Sequence, residues 1–362
     1  MNSFREVLSG HRSRYPLMQP QDYGKLAYQS EFGPEHLAPD GEMARHSILE
    51  EWRSVPPADR VRPPEPIGGG VYRFHLAPGG GTEGAAALLA RLFCLTARSH
   101  RGTAAGLAEK LRLLGALELP GMADWLADYR GRGCPPVRHS PQFRAAYRPH
   151  YRLLRDAYAC YFPALLRIEA LLAEGRRAVV AVDGRCGSGK TRLAQLLADL
   201  YPCSVFHMDD FYLTPGRRPP DWEETPGGNM DLARFAAEVL VPARAGEAVT
   251  CRPYDCRAGA LLPPVRLPAR PLTVVEGSYS LHPALGDRCD LKIFLTCSRK
   301  EQERRLKARE GAYFTAFEER WIPMEERYIR RCGAEERSDI VVDTSDFFPP
   351  ERRHSRHSVK KP

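Results

Sequence analysis

No apolar run in this 362-residue chain approaches the roughly eighteen residues that a membrane-spanning helix needs, so such a span and a membrane partner are not expected. The first twenty residues carry Arg5, Arg12 and Arg14 and lack an apolar core, so no secretory leader is expected there. No two of the ten cysteines stand in C-x-x-C spacing. That argues against a disulfide framework or a zinc site and for reduced thiols in the cytoplasm. No internal repeat is present. The net charge of +8 is spread along the chain, except for a basic tail from Arg352 to Lys361. A continuous basic groove for nucleic acid is therefore not expected. With 43% apolar and 27% charged residues, the composition is that of a soluble globular protein, and the length suits one very large domain or two ordinary ones. Oligomeric state is not legible.

What is present is a phosphate-binding loop, Gly184-Arg185-Cys186-Gly187-Ser188-Gly189-Lys190-Thr191. It follows the apolar run Ala178–Val182, which suits a buried parallel strand. It precedes Leu193, Leu196, Leu197 and Leu200, whose spacing predicts a helix over Thr191–Tyr201. Glycines permit the tight turn, and backbone N–H groups converge on phosphate oxygens at the helix start. Lys190 is expected at the β- and γ-phosphates of ATP and the Thr191 hydroxyl on Mg²⁺. Cys186 sits inside the loop, either as a reactive thiol or as a residue filling a permissive position.

About 175 residues precede the loop. Helical patterns over Gln21–Phe32, Ala44–Val55, Glu83–Arg98, Ala104–Leu117, Met122–Tyr129 and Ser140–Ala173 predict a mainly α N-terminal domain, residues 1–176. Pro149 and Pro163 are expected to break or kink the last pattern. Val71–Leu76 alternates like a short strand. Beyond Gly175 the pattern changes. Strands are predicted at Ala178–Val182, Ser204–His207, Leu272–Glu276, Leu291–Leu295 and Ile340–Val342. They alternate with helices over Thr191–Tyr201, Leu232–Ala245, Lys300–Arg309 and Phe314–Arg331. This predicts an α/β domain over 177–345, a parallel sheet flanked by helices, followed by a basic disordered tail over 346–362.

Ligands of open α/β sheets bind at the carboxyl ends of the strands. The second predicted strand ends in His207-Met208-Asp209-Asp210-Phe211-Tyr212. An aspartate there suits acceptance of a proton from an attacking hydroxyl; the alternative is an Asp pair capping a turn. The third strand ends in Glu276, suited to hold Mg²⁺ directly or through water. Arg304, Arg305, Lys307 and Arg309 share one predicted helix that could neutralise charge on a transferred phosphoryl group. The alternative is a solvated face balanced by Glu301 and Glu303.

In this order the segments resemble the uridine kinase and phosphoribulokinase family of P-loop kinases. The matching pieces are Gly184–Thr191, Met208–Tyr212, Asn229-Met230-Asp231 and Arg252-Pro253-Tyr254-Asp255. The strand ending in Glu276, Asp290 with Ile293-Phe294, Trp321–Tyr328 and Asp339–Asp343 complete the series. They cover about half the chain, Arg177 to Asp343. The resemblance implies transfer of the γ-phosphoryl group of ATP to a hydroxyl of a small molecule, often a nucleoside. It implies Asp209 as base, Glu276 on Mg²⁺, and Tyr254 and Asp255 near the acceptor; Asp210, where the family more commonly has Ser, is expected beside Mg²⁺, and Tyr212 and Asp231 beside the acceptor. Arg305 and Arg309 correspond to the lid arginines. The segment Cys256-Arg257-Ala258-Gly259 lacks the family's histidine and Gly311 shortens the lid, which points away from uridine itself.

Two N-terminal clusters stand out: Tyr28–His36, and Val137–Arg144 continuing to Arg152. Their Arg, Tyr and His residues suit an anionic or aromatic ligand. Glu31, His36 and His139 are metal-ligand types without a metal spacing. Caps and interhelical polar contacts are the alternative. The sequence thus points to an ATP- and Mg²⁺-dependent small-molecule kinase. The rivals are a nucleotide-dependent switch or binding module and, third, a nucleic-acid end kinase.

Overall fold

The structure is a computed structural model and describes residues 4–34, 40–256 and 258–348. His36, Arg257 and nearly all of the expected tail lie outside the described residues. The chain divides into two compact units, one up to Cys160 and one from Tyr161. The division falls inside the helix Asp156–Ala173, so the latter part of that helix belongs with the phosphate loop. There Tyr161 donates to the Gly189 carbonyl at 3.1 Å, and the Tyr201 hydroxyl donates to Glu169 at 2.9 Å.

In the first unit the expected helices form over Pro20–Phe32, Gly41–Ser54, Glu83–Ser99, Ala104–Gly115 and Met122–Gly131. A further helix, Phe4–Arg14, had no clear sequence signal. Caps set several starts. The Thr82 hydroxyl accepts from the Ala85 N–H and the Ser140 hydroxyl from the Phe143 N–H, each satisfying an orphan donor. The helical pattern over Ser140–Ala173 breaks around Pro149, as expected, but a strand that was not expected fills the break. A short helix, Pro141–Tyr147, ends before Pro149; then comes the strand Tyr151–Arg155, and the helix resumes at Asp156. Pro163 sits inside that last helix without ending it. The strand completes a three-stranded antiparallel sheet: β1 (Glu65–Gly68), β2 (Val71–His75) and β3 (Tyr151–Arg155). Long-range pairing with Val71–His75 overrode the local helical pattern. The unit's core includes Leu26, Ile67, Leu114, Tyr129 and Phe143, all essentially buried. Each contributes roughly 1.5–3 kcal/mol by leaving water.

The second unit holds the predicted parallel sheet: β4 (Ala178–Gly184), β5 (Cys203–His207), β10 (Leu272–Glu276), β11 (Leu291–Thr296) and β12 (Ile340–Asp343). Four short strands lie between β5 and β10 and form two hairpin-like pairs: β6 (Val249–Cys251) with β9 (Val265–Leu267), and β7 (Tyr254–Asp255) with β8 (Ala260–Leu261). The main sheet runs β12-β11-β4-β10-β5, all parallel. β4 and β10 are buried along their whole length, as continuous apolar strands covered on both faces must be. Their register fixes the site: Glu276 pairs across with Val182 on one side and His207 on the other. Helices Lys190–Leu200, Arg299–Glu310 and Ile322–Cys332 follow the strands. The regular helices expected over Leu232–Ala245 and Phe314–Arg331 each contain a wider π-type turn, at Ala236–Leu240 and Phe317–Trp321. This strand order, with a phosphate loop after the central strand, is the P-loop kinase fold.

Candidate active site

The loop leaves β4 at Gly184, where φ is +137° and a Cβ would lie 2.0 Å from the Leu295 carbonyl oxygen. Gly189, φ +103°, brings the chain within 2.7 Å of Tyr161 Oη, measured from where its Cβ would stand. Only glycine fits at either place, so the backbone is shaped as a concave turn at the start of the helix Lys190–Leu200. The Ser188 hydroxyl is buried there without a partner. A backbone turn closed to side chains, with the neighbouring Ser188 hydroxyl left unpaired, fits a phosphate group.

Lys190 is buried, and its ammonium donates to the Gly184 carbonyl at 2.5 Å. Burial works against its charge, yet Glu325, Asp183, Cys186 and Glu276 outweigh burial and raise its affinity for the proton. It is a cation at any physiological pH. Asp183, at the end of β4, is the sequence-silent anchor of this corner. It accepts from the N–H groups of Gly184 and Leu281 and from the Tyr328 hydroxyl, at 2.7, 2.9 and 2.7 Å. Burial raises its pKa to about 6 against the opposing pull of Lys190.

Beside the loop, Thr191 Oγ1 lies 3.4 Å from Glu276 Oε1, and the same carboxylate oxygen is 2.6 Å from His207 Nδ1. The pair with Glu276 holds the proton on His207 more tightly than usual. Among the described residues no group of three His, Cys, Asp or Glu is placed to hold a metal by itself. Mg²⁺ commonly takes one or two protein oxygens and completes its shell with phosphate oxygens and water. Thr191 and Glu276 fit that share.

Asp209 and Asp210 lie on the turn Met208–Phe211 after β5. Asp209 is exposed and accepts the Tyr212 hydroxyl at 2.8 Å. Asp210 is half-buried; burial first, then the nearby charges of Asp209 and Glu276, raise its pKa, while His207 opposes this. Arg234 caps the turn from behind, 4.3 Å over the Phe211 ring and 3.3 Å from the Asp210 carbonyl. The β7–β8 hairpin packs against the same turn. Tyr254 is buried in it, and the Asp255 carboxylate is turned inward to the Ala258 N–H at 3.2 Å. Asp231 is committed elsewhere: it caps the helix at Arg234 N and accepts from Arg217 at 2.7 Å.

Side-chain geometry corrects two expectations, Arg185 and Arg305, and favours one of the two readings of Cys186. The Arg185 side chain points away from the cradle and joins Glu326, Glu335 and Thr296 at 2.7–3.0 Å. Cys186 is not a reactive thiol: burial, then Glu325, push its pKa well above the usual value, and Gln302 donates to its sulfur at 3.3 Å. Arg305 has no N–H to spare. Nε goes to Glu301; the terminal nitrogens go to Gly187 O, Thr344 Oγ1, Thr344 O and Phe347 O, all within 3.1 Å. A guanidinium has five N–H donors, and all are used. Arg305 therefore braces the loop from behind. Arg309, in the last turn of the same helix, is mostly exposed and bonds Glu310 through Nε alone. Gly187, the remaining loop glycine, adopts φ +77°.

In the first unit the described parts of the two singled-out clusters meet where the Tyr151 hydroxyl lies 3.2 Å from Gln29 Oε1. His139 Nδ1–H donates to Asp22 at 2.9 Å, and its Nε2 accepts from Tyr151 at 2.8 Å. Glu31 pairs with Lys110 and accepts the Thr103 N–H at 2.8 Å. Both side chains are engaged by protein partners.

No family model and no curated protein matches this sequence. Among solved structures, a protein from Bacillus stearothermophilus described as a possible uridine kinase is similar over 50% of this chain and all of its own, at 23% identity and TM-score 0.39. A protein from Silicibacter sp. TM1040 described as a fructose transport system kinase is similar over 46% and 89%, at 22% and 0.33. The YGR205w protein is similar over 51% and 93%, at 16% and 0.34.

Proposed function

We propose that this chain is an ATP-dependent kinase that phosphorylates a hydroxyl of a small molecule, such as a nucleoside or a related sugar alcohol. The observation that carries this reading is one edge of one sheet. There the parallel register sets the phosphate cradle, the Thr191–Glu276 pair and the exposed Asp209 side by side. A nucleotide switch has no need of the last of these. Bound Mg²⁺·ATP would supply the phosphoryl group and a metal to neutralise its charge. Lys190 holds the terminal phosphates, and Thr191 and Glu276 hold the metal's side of the site. Asp209, oriented by Tyr212, accepts the proton of the acceptor hydroxyl. Asp210 stands nearer the Glu276–His207 pair and tunes that corner. Arg309 is the lid cation with donors to offer, and Tyr254 with Asp255 shapes the acceptor side. Ten cysteines with no C-x-x-C spacing agree with a cytoplasmic setting. The test is ATP consumption by the full chain across nucleosides, sugars and vitamin-like alcohols, with product mass measured. Mass gain of one phosphoryl group on any acceptor supports the reading. ATP binding without turnover on all of them favours a regulatory module.

A further inference from the structure

The phosphate loop already holds an anion that the chain itself supplies. Glu325 stands in the first turn of the helix Ile322–Cys332, and its side chain is 6% exposed. Its Oε2 accepts the backbone N–H of Cys186 at 2.7 Å. Its Oε1 accepts the Ser278 hydroxyl at 2.6 Å and lies 3.8 Å from Lys190 Nζ. A loop amide, a hydroxyl and the loop ammonium are the kinds of donor that hold a phosphate. Here one buried carboxylate engages all three.

We propose that Glu325 is an internal stand-in for phosphate, a latch that shares Lys190 until a polyphosphate displaces it. The inference rests on reading the loop as a nucleotide site. A carboxylate and a phosphate competing for one ammonium at low dielectric repel each other, so the Glu325 charge weakens polyphosphate binding. Its helix is continuous with the wide turn Phe317–Trp321, whose looser hydrogen bonding permits a shift of the first turn. The latch thus sets the nucleotide level at which the loop loads.

The test is calorimetric titration of the full chain with ATP and, separately, with sodium tripolyphosphate, each with Mg²⁺. Glu325→Gln removes the charge and keeps one acceptor oxygen for the Cys186 N–H, while its amide N–H can donate to the Ser278 hydroxyl oxygen in place of accepting from it. It is expected to lower Kd for both ligands about tenfold. Ser278→Ala frees one carboxylate oxygen and is expected to lower both about threefold. Folded Glu325→Gln protein that binds both ligands as wild type does, or more weakly, overturns the latch. If Glu325→Gln does not fold, Ser278→Ala decides by the same criterion. Wild-type binding with no change in either variant sinks the latch alone. No binding of either ligand by wild type and variants sinks the nucleotide-site reading as well.

Discussion

Both units bury charge, and they do it to different ends. In the first unit, Glu65 lies between Arg14 and Arg73 at 2.9 and 3.5 Å, and Asp22 is held by His139, Ser140 and the Gln19 N–H. Burial keeps His11, His75 and His139 neutral, each with a pKa lowered to about 4. Among the described residues, polar atoms such as His11 Nδ1, Ser30 Oγ and Arg73 Nε lack partners, but Glu65 and Asp22 are matched. In the second unit, one ammonium faces Asp183, Glu276 and Glu325, and the cradle around it is shaped by glycines rather than filled by side chains. A dense set of Arg, His and Tyr can thus be a finished piece of core. A site is marked by backbone held open at a sheet edge.

The difference is broken most sharply by deleting one cation from each unit. Lys190→Ala is expected to lower phosphoryl transfer by about 10³-fold or more, the scale of losing a preorganised charge at the transferring group. The fold should survive, as circular dichroism would verify. Wild-type turnover in a folded variant rules the loop out as the catalytic site. Arg73→Ala should do the opposite. It takes the buried guanidinium from Glu65, which keeps Arg14, and a donor from Gln29 Oε1, and is expected to destabilise the first unit by about 3 kcal/mol. Denaturant unfolding monitored by hydrogen exchange in β1 and β2 measures it. A loss under about 1 kcal/mol would mean the pair is dispensable.

Within the second unit, Asp209→Asn is expected to lower turnover by about 10² while leaving ATP affinity within a few fold. If Asp210→Asn is the inactive variant instead, the two carboxylates exchange roles. A smaller contrast separates the helix arginines. Arg309→Ala should reduce turnover about tenfold with little effect on melting, since its terminal nitrogens are not tied to the fold. Arg305→Ala should instead lower the melting temperature, because the Gly187 and Thr344 carbonyls lose their donor. Equal turnover in Arg309→Ala and wild type removes it from the mechanism.

The sheet was legible because its strands are continuous apolar runs, and the loop because its glycines answer a steric demand. The register that seats Glu276 beside His207 follows from those runs. What sequence spacing could not carry was side-chain direction. Arg305 and Arg309 are one turn apart on the same helix, yet one is consumed by carbonyls and the other is free of them. Asp183 and Glu325 were passed over for a related reason. Each acts through contacts nearly a hundred residues or more away, Asp183 to Leu281 and Glu325 to Cys186. In the first unit, Tyr151–Arg155 reads as helix until Val71–His75 is there to pair with it.

The gentlest way to separate the units is pH. The three buried histidines have folded pKa values near 4 against about 6.5 in an unfolded chain. Between those values the unfolded state binds protons that the folded state refuses. The stability they provide is complete above pH 6.5 and is lost as pH falls toward 4. Lowering the pH from 6.5 to 5.5 should cost the first unit about 1 kcal/mol for each histidine. Asp183, held near 6, works the other way: the folded state takes up its proton first, so acid over the same interval does not weaken the second unit through this group. Hydrogen exchange at pH 7.5, 6.5 and 5.5 should therefore show residues 4–34 and 137–155 losing protection before β4 and β10 do. His139→Asn keeps a side-chain N–H for Asp22 and removes one titration, so it should flatten the acid limb of the first unit by about a third. An unchanged acid limb in that variant would show that His139 does not take part.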